Sequence, residues 1–196
     1  MDLSKASAVA RSVRDSTSAT DGMKRIITWC SSQRRHRDWV RLSRIDFESD
    51  VSDFPGLFLS NMGRPPPARA DGLYLGLFEV PDRCRLMLHA GANPYDPDDD
   101  DWAGDLRWKV DAYFMFDALR QMHEIAYESD RSLRNDAEYA LGLTYAALLC
   151  RALGTRAGAR LLGKAKRRTF AVGWDEGDLL VVGELNARGF RTTAGR

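Results

Sequence analysis

The sequence predicts an α+β fold in which a mostly antiparallel sheet carries its helices on one face. Three observations lead to this prediction. Two strand-like apolar segments with a short polar connection lie in the middle of the chain, helical periodicity follows, and two further short strand-like segments come near the end. Strands, helices and strands in that order lack the regular alternation of a parallel βαβ fold.

The first strand pair is predicted in the middle of the chain. Residues 73–80 and 84–90 are rich in apolar side chains, and a proline-containing turn lies between them. So short a connection indicates an antiparallel hairpin. Because side chains alternate along a strand, we expect Leu86 and Leu88 on one face and His89 on the other.

Two helices are predicted between the strand pairs. In residues 112–126 apolar residues recur at steps of three or four positions and form one stripe. A second helix is expected over residues 136–153, with Asn135 as its cap and Glu138 completing a pair that resembles a capping box. Gly154 fits the left-handed position that ends many helices.

The second strand pair is predicted at residues 169–172 and 178–183. The turn-rich link between them, residues 173–177, suits a hairpin. In the first third of the chain, residues 38–47 are interpreted as a strand with imperfect alternation. The dipeptide at residues 55–56, Pro-Gly, is interpreted as a turn.

Length and composition indicate one soluble domain. The chain has 196 residues, of which 44% are hydrophobic and 29% charged, so it can bury a core without disulfide staples. No apolar run approaches the ~20 residues of a membrane-spanning helix, so no membrane partner is expected. We interpret residues 1–22 as a flexible or short helical N-terminal segment and residues 23–196 as a single α+β domain. The prolines at 65–67 predict a stiff surface loop.

The charge is unevenly distributed along the chain. Residues 1–70 carry a net charge of +4, residues 71–150 carry −9 and residues 151–196 carry +6. Two interpretations stay open: the oppositely charged segments face each other inside the fold, or they form separate surfaces for partners.

The cysteines predict a reducing environment. The chain has an odd number of cysteines, namely Cys30, Cys84 and Cys150. No two of them have the spacing of a metal site or a redox motif. This pattern argues against a disulfide framework. We therefore expect a cytoplasmic protein.

Residues 96–101 form an acidic loop that precedes Trp102. A calcium-binding EF-hand loop beginning at Asp96 would need glycine at its sixth position and glutamate at its twelfth, where this sequence has Asp101 and Arg107. A calcium site is therefore not favoured. The loop is either a solvated acidic surface, a carboxylate group near a helix N-terminus, or an anionic surface that binds a basic partner. On the last interpretation, the candidate partner-binding residues are Asp96, Asp98, Asp99, Asp100, Asp101 and Trp102.

No catalytic or metal-binding motif is recognisable. The three histidines, His36, His89 and His123, are too far apart in sequence to indicate a metal site. Cys84 and His89 have the residue types of a nucleophile and its base, but an odd offset on one strand places them on opposite faces. We therefore expect no metal and no cofactor, and catalysis is not the favoured function.

Two alternatives to protein binding nevertheless stay open. The carboxylates Asp175, Glu176 and Asp178 could perform acid–base work in an enzyme whose site is assembled from scattered residues, although a tight acidic turn is the commoner explanation. The basic segments 34–37 and 151–168 could contact phosphates in a nucleic-acid-associated protein. Few aromatic residues accompany these segments, so base stacking is not favoured.

Three segments carry a resemblance to a known class of proteins. Residues 71–78 (DGLYLGLF), 92–103 (ANPYDPDDDDWA) and 171–179 (AVGWDEGDL) resemble small bacterial immunity-type proteins of polymorphic or contact-delivered toxin systems. The resemblance implies a protein that neutralises a toxin by direct binding, and it implies no catalytic residues. Since many toxin domains have basic clefts, an acidic loop with an adjacent tryptophan could fill one. We therefore expect a non-catalytic, protein-binding module.

Overall fold

The computed structural model describes residues 3–80, 85–99, 101–104, 106–175 and 179–193. Within these residues the chain forms six helices and six strands. The helices are α1 (Leu3–Arg14), α2 (Ala19–Gln33), α3 (Asp38–Leu42), α4 (Glu48–Asn61), α5 (Asp117–Tyr127) and α6 (Asn135–Leu162). The strands are β1 (Gly72–Val80), β2 (Arg85–Asn93), β3 (Trp108–Lys109), β4 (Arg167–Trp174), β5 (Leu179–Asn186) and β6 (Gly189–Thr192).

The strands form one sheet in the order β3-β2-β1-β4-β5-β6. β1 runs antiparallel to β2 and parallel to β4, and the other neighbouring pairs are antiparallel. The parallel pair arises because α5 and α6 return the chain to the far side of β1 before β4 begins. The predicted α+β class, with a mostly antiparallel sheet and helices packed on it, is confirmed, as is the antiparallel pairing of both predicted strand pairs. Residues 81–84 and 176–178, in the connections of these pairs, lie outside the described residues.

The alternation of side chains in β1 determines which face of the sheet the helices cover. Leu73, Leu75 and Leu77 are fully buried in the main core beneath the helices. Burying one such side chain contributes about 1.5–3 kcal/mol. From β2, Leu86 and Leu88 join the same core, as the sequence predicts. The opposite face of the sheet, which we call the outer face, is left without helices.

The long helix α6 lies at the centre of the fold. It contacts α1, α2, α4 and α5 and also β1, β4, β5 and β6, and it is buried around most of its circumference, as expected of a core helix. The prediction that this helix ends at Gly154 was wrong. The helix continues to Leu162 because Gly154 is where the Phe190 ring packs, and a Cβ there would collide with it. The chain leaves the helix at Gly163, with φ of 53°, a conformation that glycine adopts easily.

Two predictions in the first third of the chain were also wrong. The residues interpreted as a strand at 38–47 begin with the short helix α3, and Pro55 lies inside α4 instead of in a turn. In α4, Val51, Phe54 and Phe58 follow helical spacing and are buried, and this packing outweighs the hydrogen bond that a proline removes. Phe54 meets the rings of three other core phenylalanines edge to face.

The N-terminal helices pack into the same core as the rest of the chain. In α1, Ala8, Val9 and Val13 are buried in the main core. The helix α2 begins after Ser18, whose side chain accepts a hydrogen bond from the backbone N–H of Asp21. The expected boundary between residues 22 and 23 therefore falls inside α2.

Candidate functional site

The outer face of the sheet is partly covered by the segment that includes the acidic loop. The ring of Trp102 packs over Gly72 and the side chain of Leu106 packs over Gly91, two positions that have no side chain. A Cβ at Gly72 would be 2.5 Å from the Trp102 ring, and a Cβ at Gly91 would be 2.5 Å from Leu106. A second, smaller apolar cluster results, formed by Tyr74, Trp102, Leu106 and Ala171.

Beside this cluster the outer face forms an open groove with a volume of about 660 Å³. The groove is lined by both aromatic and charged residues. Its aromatic lining includes Tyr74, Phe78 and Tyr113, and its ionisable lining includes His89, Asp101, Lys109, Asp111 and Asp175. A concave surface that combines apolar walls with a few polar groups is the usual form of a binding site.

A histidine–carboxylate pair lies in the groove. Nε2 of His89, on β2, lies 2.7 Å from Oδ1 of Asp175, which directly follows β4. Since β1 lies between these strands, the imidazole must cross β1, and it crosses at its register partner Gly76. A Cβ at Gly76 would collide with Nε2 of His89. Glycine is unfavourable inside a strand, and here it makes room for the pair.

The pair determines what His89 can do chemically. The carboxylate of Asp175 accepts the hydrogen bond, so Nε2 carries the proton, and in the neutral imidazole Nδ1 is then an acceptor. Burial raises the pKa of the nearby Tyr74 hydroxyl, and Asp175 raises it further, so this phenol stays a donor. The groove thus offers hydrogen-bond acceptors and a donor, a combination suited to binding polar groups or to moving a proton.

The acidic loop lies at one side of this groove. Asp96, Asp98, Asp99 and Asp101 are exposed, whereas Asp100 lies outside the described residues. The loop folds on itself, because the N–H groups of Asp98 and Asp101 donate to the carboxylates of Asp96 and Asp99. Of these described carboxylates, only that of Asp101 lines the groove.

Trp102 has a different position from the carboxylates that precede it. It is 4% exposed, and its ring packs edge to face against Tyr74 and Tyr95 with centroid distances of 6.4 and 5.4 Å. Nδ2 of Asn93 donates to its carbonyl. The indole therefore holds the loop on the sheet, whereas the described carboxylates of the loop are exposed. The partner-binding role of the candidate residues stays a prediction.

Several arginines of the basic segment 151–168 serve the fold itself. Arg168 is fully buried and donates to carbonyl groups at the end of α6 and in the proline loop, including those of Leu161 and Pro66. It thereby satisfies a carbonyl that the helix end leaves without a partner. Burial lowers the pKa of Arg168, although an arginine stays charged at neutral pH.

The remaining basic residues are divided between internal contacts and solvent. Arg151 donates to the carbonyls of Val13 and Ser16, and Arg156 donates to that of Ser52. In the segment 34–37, Arg34 pairs with Asp136 and His36 bonds to the carbonyl of Arg131. The basic residues exposed in the longer segment are Arg156, Arg160, Lys164, Lys166 and Arg167. The nucleic-acid alternative therefore has fewer free cations than the sequence indicated.

The other candidate residues lie outside the groove. The sequence predicted that Glu138 completes a pair resembling a capping box, and this prediction was wrong. Glu138 instead lies 2.6 Å from Nδ1 of the buried His123. The Cys30 and Cys150 thiols are free and buried, and burial raises the pKa of Cys30 to about 11 and also raises that of Cys150. Such thiols are unreactive at neutral pH. Cys84, Glu176 and Asp178 lie outside the described residues.

Sequence reasoning missed the His89–Asp175 pair. It considered His89 with the other histidines and with Cys84, and Asp175 only within its own turn, because His89 and Asp175 are 86 positions apart. The parallel pairing of β1 with β4 brings them together, and no local pattern specifies that pairing. The available signals were a glycine in the middle of an apolar strand and an acid directly after another strand.

Neither a metal cluster nor a membrane-spanning helix accompanies this site in the described part of the chain. The described residues contain no group of three or more His, Cys, Asp or Glu side chains that could hold a metal ion. No helix among them is both long and apolar enough to cross a membrane. Comparisons with protein-family models, with curated proteins and with solved structures found no match to this chain.

Proposed function

We propose that this protein is a non-catalytic binding module that engages a basic protein partner through its outer face. The observation that carries the proposal is the groove beside the acidic loop, a concave surface with an exposed aromatic wall and several exposed carboxylates. Tyr113 in this wall is 68% exposed. Aromatic side chains of this kind are enriched in protein interfaces.

The charge of this surface favours a basic partner. Exposed carboxylates of the loop and groove include Asp98, Asp99, Asp101, Asp111 and Asp175. Lys109 is a cation of the groove lining. An acidic surface of this kind accelerates association with a basic partner and weakens binding when salt is added.

A toxin with a basic cleft is the partner that we favour. The resemblance of residues 71–78, 92–103 and 171–179 to immunity-type proteins supports this assignment. In that role the protein would reside in the cytoplasm, bind the cognate toxin in a stoichiometric complex, and mask its cleft. The acidic loop would enter the cleft while the groove receives part of the rim.

The proposal is tested by capture of the partner with matched variants. Tagged wild-type protein and the variant Asp98→Asn/Asp99→Asn/Asp101→Asn are purified from the native cells at moderate salt, and bound proteins are identified by mass spectrometry. We expect the wild type to retain one basic protein in a stoichiometric amount. The variant should not retain this protein, and the wild type should lose it at high salt. If that protein is toxic when produced alone, co-production of the wild type should restore growth.

The matched control neutralises three acids on the helical side of the molecule. The variant Asp117→Asn/Glu124→Gln/Asp130→Asn loses the same charge, and its residues are exposed. This control should retain the partner. Equal loss of the partner from both variants would mean that net charge, and not the acidic loop, controls binding, and the proposal would fail.

Acid–base catalysis is a second candidate, favoured by the 2.7 Å contact between His89 and Asp175. A histidine fixed by a carboxylate is the usual general base. The test compares the wild type with His89→Gln on p-nitrophenyl ester and phosphodiester probes. Turnover that depends on His89 would support catalysis, whereas equal rates for both proteins would exclude it for these substrates.

A further inference from the structure

The groove on the outer face has an aromatic wall that is open to a cation. Phe78 and Tyr113 meet edge to face, with their ring centroids 5.2 Å apart, and Tyr113 is more exposed than any other large apolar side chain among the described residues. A cation placed over such a ring is attracted by the negative face of its π system.

Carboxylates line the same groove without being neutralised. Asp101 and Asp111 are exposed groove residues, and neither has an ion-pair partner within the described part of the chain. Lys109 lines the groove as well, and no described carboxylate pairs with it. The groove therefore retains negative charge that an incoming cation can neutralise.

The His89–Asp175 pair adds directional acceptors to this charge. Asp175 uses Oδ1 to accept from His89, so its second oxygen and Nδ1 of His89 can both accept. Arginine matches several acceptors at once, because its planar guanidinium presents five N–H donors and its face stacks on aromatic rings. Lysine offers only a compact point charge in comparison.

We propose that the groove binds an arginine side chain presented by a basic segment of a protein. Its volume of about 660 Å³ lies within the range of sites that take ligands larger than one side chain, so neighbouring residues of the segment enter as well. This inference rests on the proposed function, because it takes the partner to be a basic protein. It adds that a single guanidinium is the group recognised.

The test uses a short peptide probe and the full chain, so it does not depend on the partner. ¹⁵N-labelled protein is titrated with acetyl-Gly-Arg-Gly-amide and with the same peptide containing citrulline, which is neutral and nearly isosteric with arginine. We expect saturable shifts at groove residues and at the His89 imidazole with the arginine peptide only, with a dissociation constant in the millimolar range. Equal shifts with both peptides, or shifts confined to other surfaces, would overturn the inference.

Variants identify the residues responsible. The double variant Asp111→Asn/Tyr113→Ala should lower the affinity for the arginine peptide by about tenfold. The matched variant Asp130→Asn/Leu57→Ala removes an exposed acid and an exposed apolar side chain outside the groove, and it should bind like the wild type. Unchanged affinity in the groove variant overturns the site.

The outcomes separate this inference from the proposed function. If the arginine peptide fails to bind while the wild type still captures a basic protein through its acidic loop, the arginine site is wrong and the binding module stands. If the peptide binds in the groove and no protein is captured, the arginine site is supported and the proposed function loses its support.

Discussion

Two of the histidine–carboxylate pairs among the described residues have the same chemistry in opposite surroundings. His123 of α5 and Glu138 of α6 are 2.6 Å apart, and their side chains are 4% and 6% exposed. His89 and Asp175 are 2.7 Å apart in the groove, with side chains 22% and 46% exposed. The contact distances are almost equal, so burial is what distinguishes the pairs.

The difference indicates which pair stabilises the fold and which is available for function. A buried carboxylate without a partner is costly, so the His123–Glu138 pair must remain intact to join α5 to α6. An exposed pair contributes little because water already solvates both groups. The fold nevertheless places Gly76 inside a strand so that His89 can reach Asp175, and stability alone does not account for that arrangement.

The largest expected effect comes from breaking the buried pair. His123→Ala removes the imidazole that pairs with the buried Glu138 carboxylate, so we expect the free energy of unfolding to fall by about 3–5 kcal/mol. The matched variant His89→Ala should lose less than about 1 kcal/mol. Urea denaturation followed by circular dichroism measures both. Equal losses would show that burial does not distinguish the pairs.

The second effect concerns the glycine that makes room for the exposed pair. Gly76→Ala places a methyl group against Nε2 of His89, and we expect a loss of about 1–3 kcal/mol from overpacking. Gly56, in α4, has no atom near the position of a Cβ, and Gly56→Ala should be neutral or stabilising by up to about 1 kcal/mol.

A double variant isolates the cause of the Gly76 effect. In Gly76→Ala/His89→Ala the colliding imidazole is absent, so most of the stability lost in Gly76→Ala should return. If the double variant instead loses as much free energy of unfolding as the two single variants together, the loss in Gly76→Ala arises from the strand itself and not from the collision with His89.

The third effect is the pH dependence that the buried pair contributes to stability. The hydrogen bond to Glu138 is the main cause that raises the pKa of His123 above its ordinary value of 6.5. The resulting stabilisation is complete below pH 6.5 and is lost as the pH rises through the raised value. It amounts to about 1.4 kcal/mol for each unit of elevation.

Unfolding at a series of pH values from mildly acidic to mildly alkaline checks this dependence. His123→Gln, which does not titrate, should reduce the slope of this profile. The pair would lose its assigned role if the slope survived in His123→Gln.

The sequence predicted the local elements of the fold better than its long-range contacts. The strands around Leu75, Leu88 and Val172 followed from alternation and short turns, because both signals act within a few residues. The continuation of α6 through Gly154 did not, since Phe190, which packs there, is distant in sequence. Tertiary packing outweighed the local preference of Gly154 for a helix end.

The candidate site shows the same division. The acidic loop was recognisable because its carboxylates are consecutive, and structure adds that Trp102 is buried beneath it. The groove was not recognisable, because β1, β2 and β4 each contribute only one or two of its residues. A sequence pattern cannot show that His89 lies across Gly76 until the order of the strands is known.

The smallest expected effect on stability is also the sharpest test of the comparison. Asp175→Ala removes the acceptor of His89 and should change the free energy of unfolding by no more than about 0.5 kcal/mol. The tautomer of His89 should change nonetheless, because Nε2–H loses the carboxylate that held its proton in place. Imidazole ¹⁵N shifts measured at alkaline pH report this, with His123 as the internal control. A changed His89 with unchanged stability would show that the exposed pair serves the groove and not the fold. If the tautomer of His89 is the same in Asp175→Ala as in the wild type, contacts other than Asp175 orient the ring. Asp175 would then not act in the site through His89.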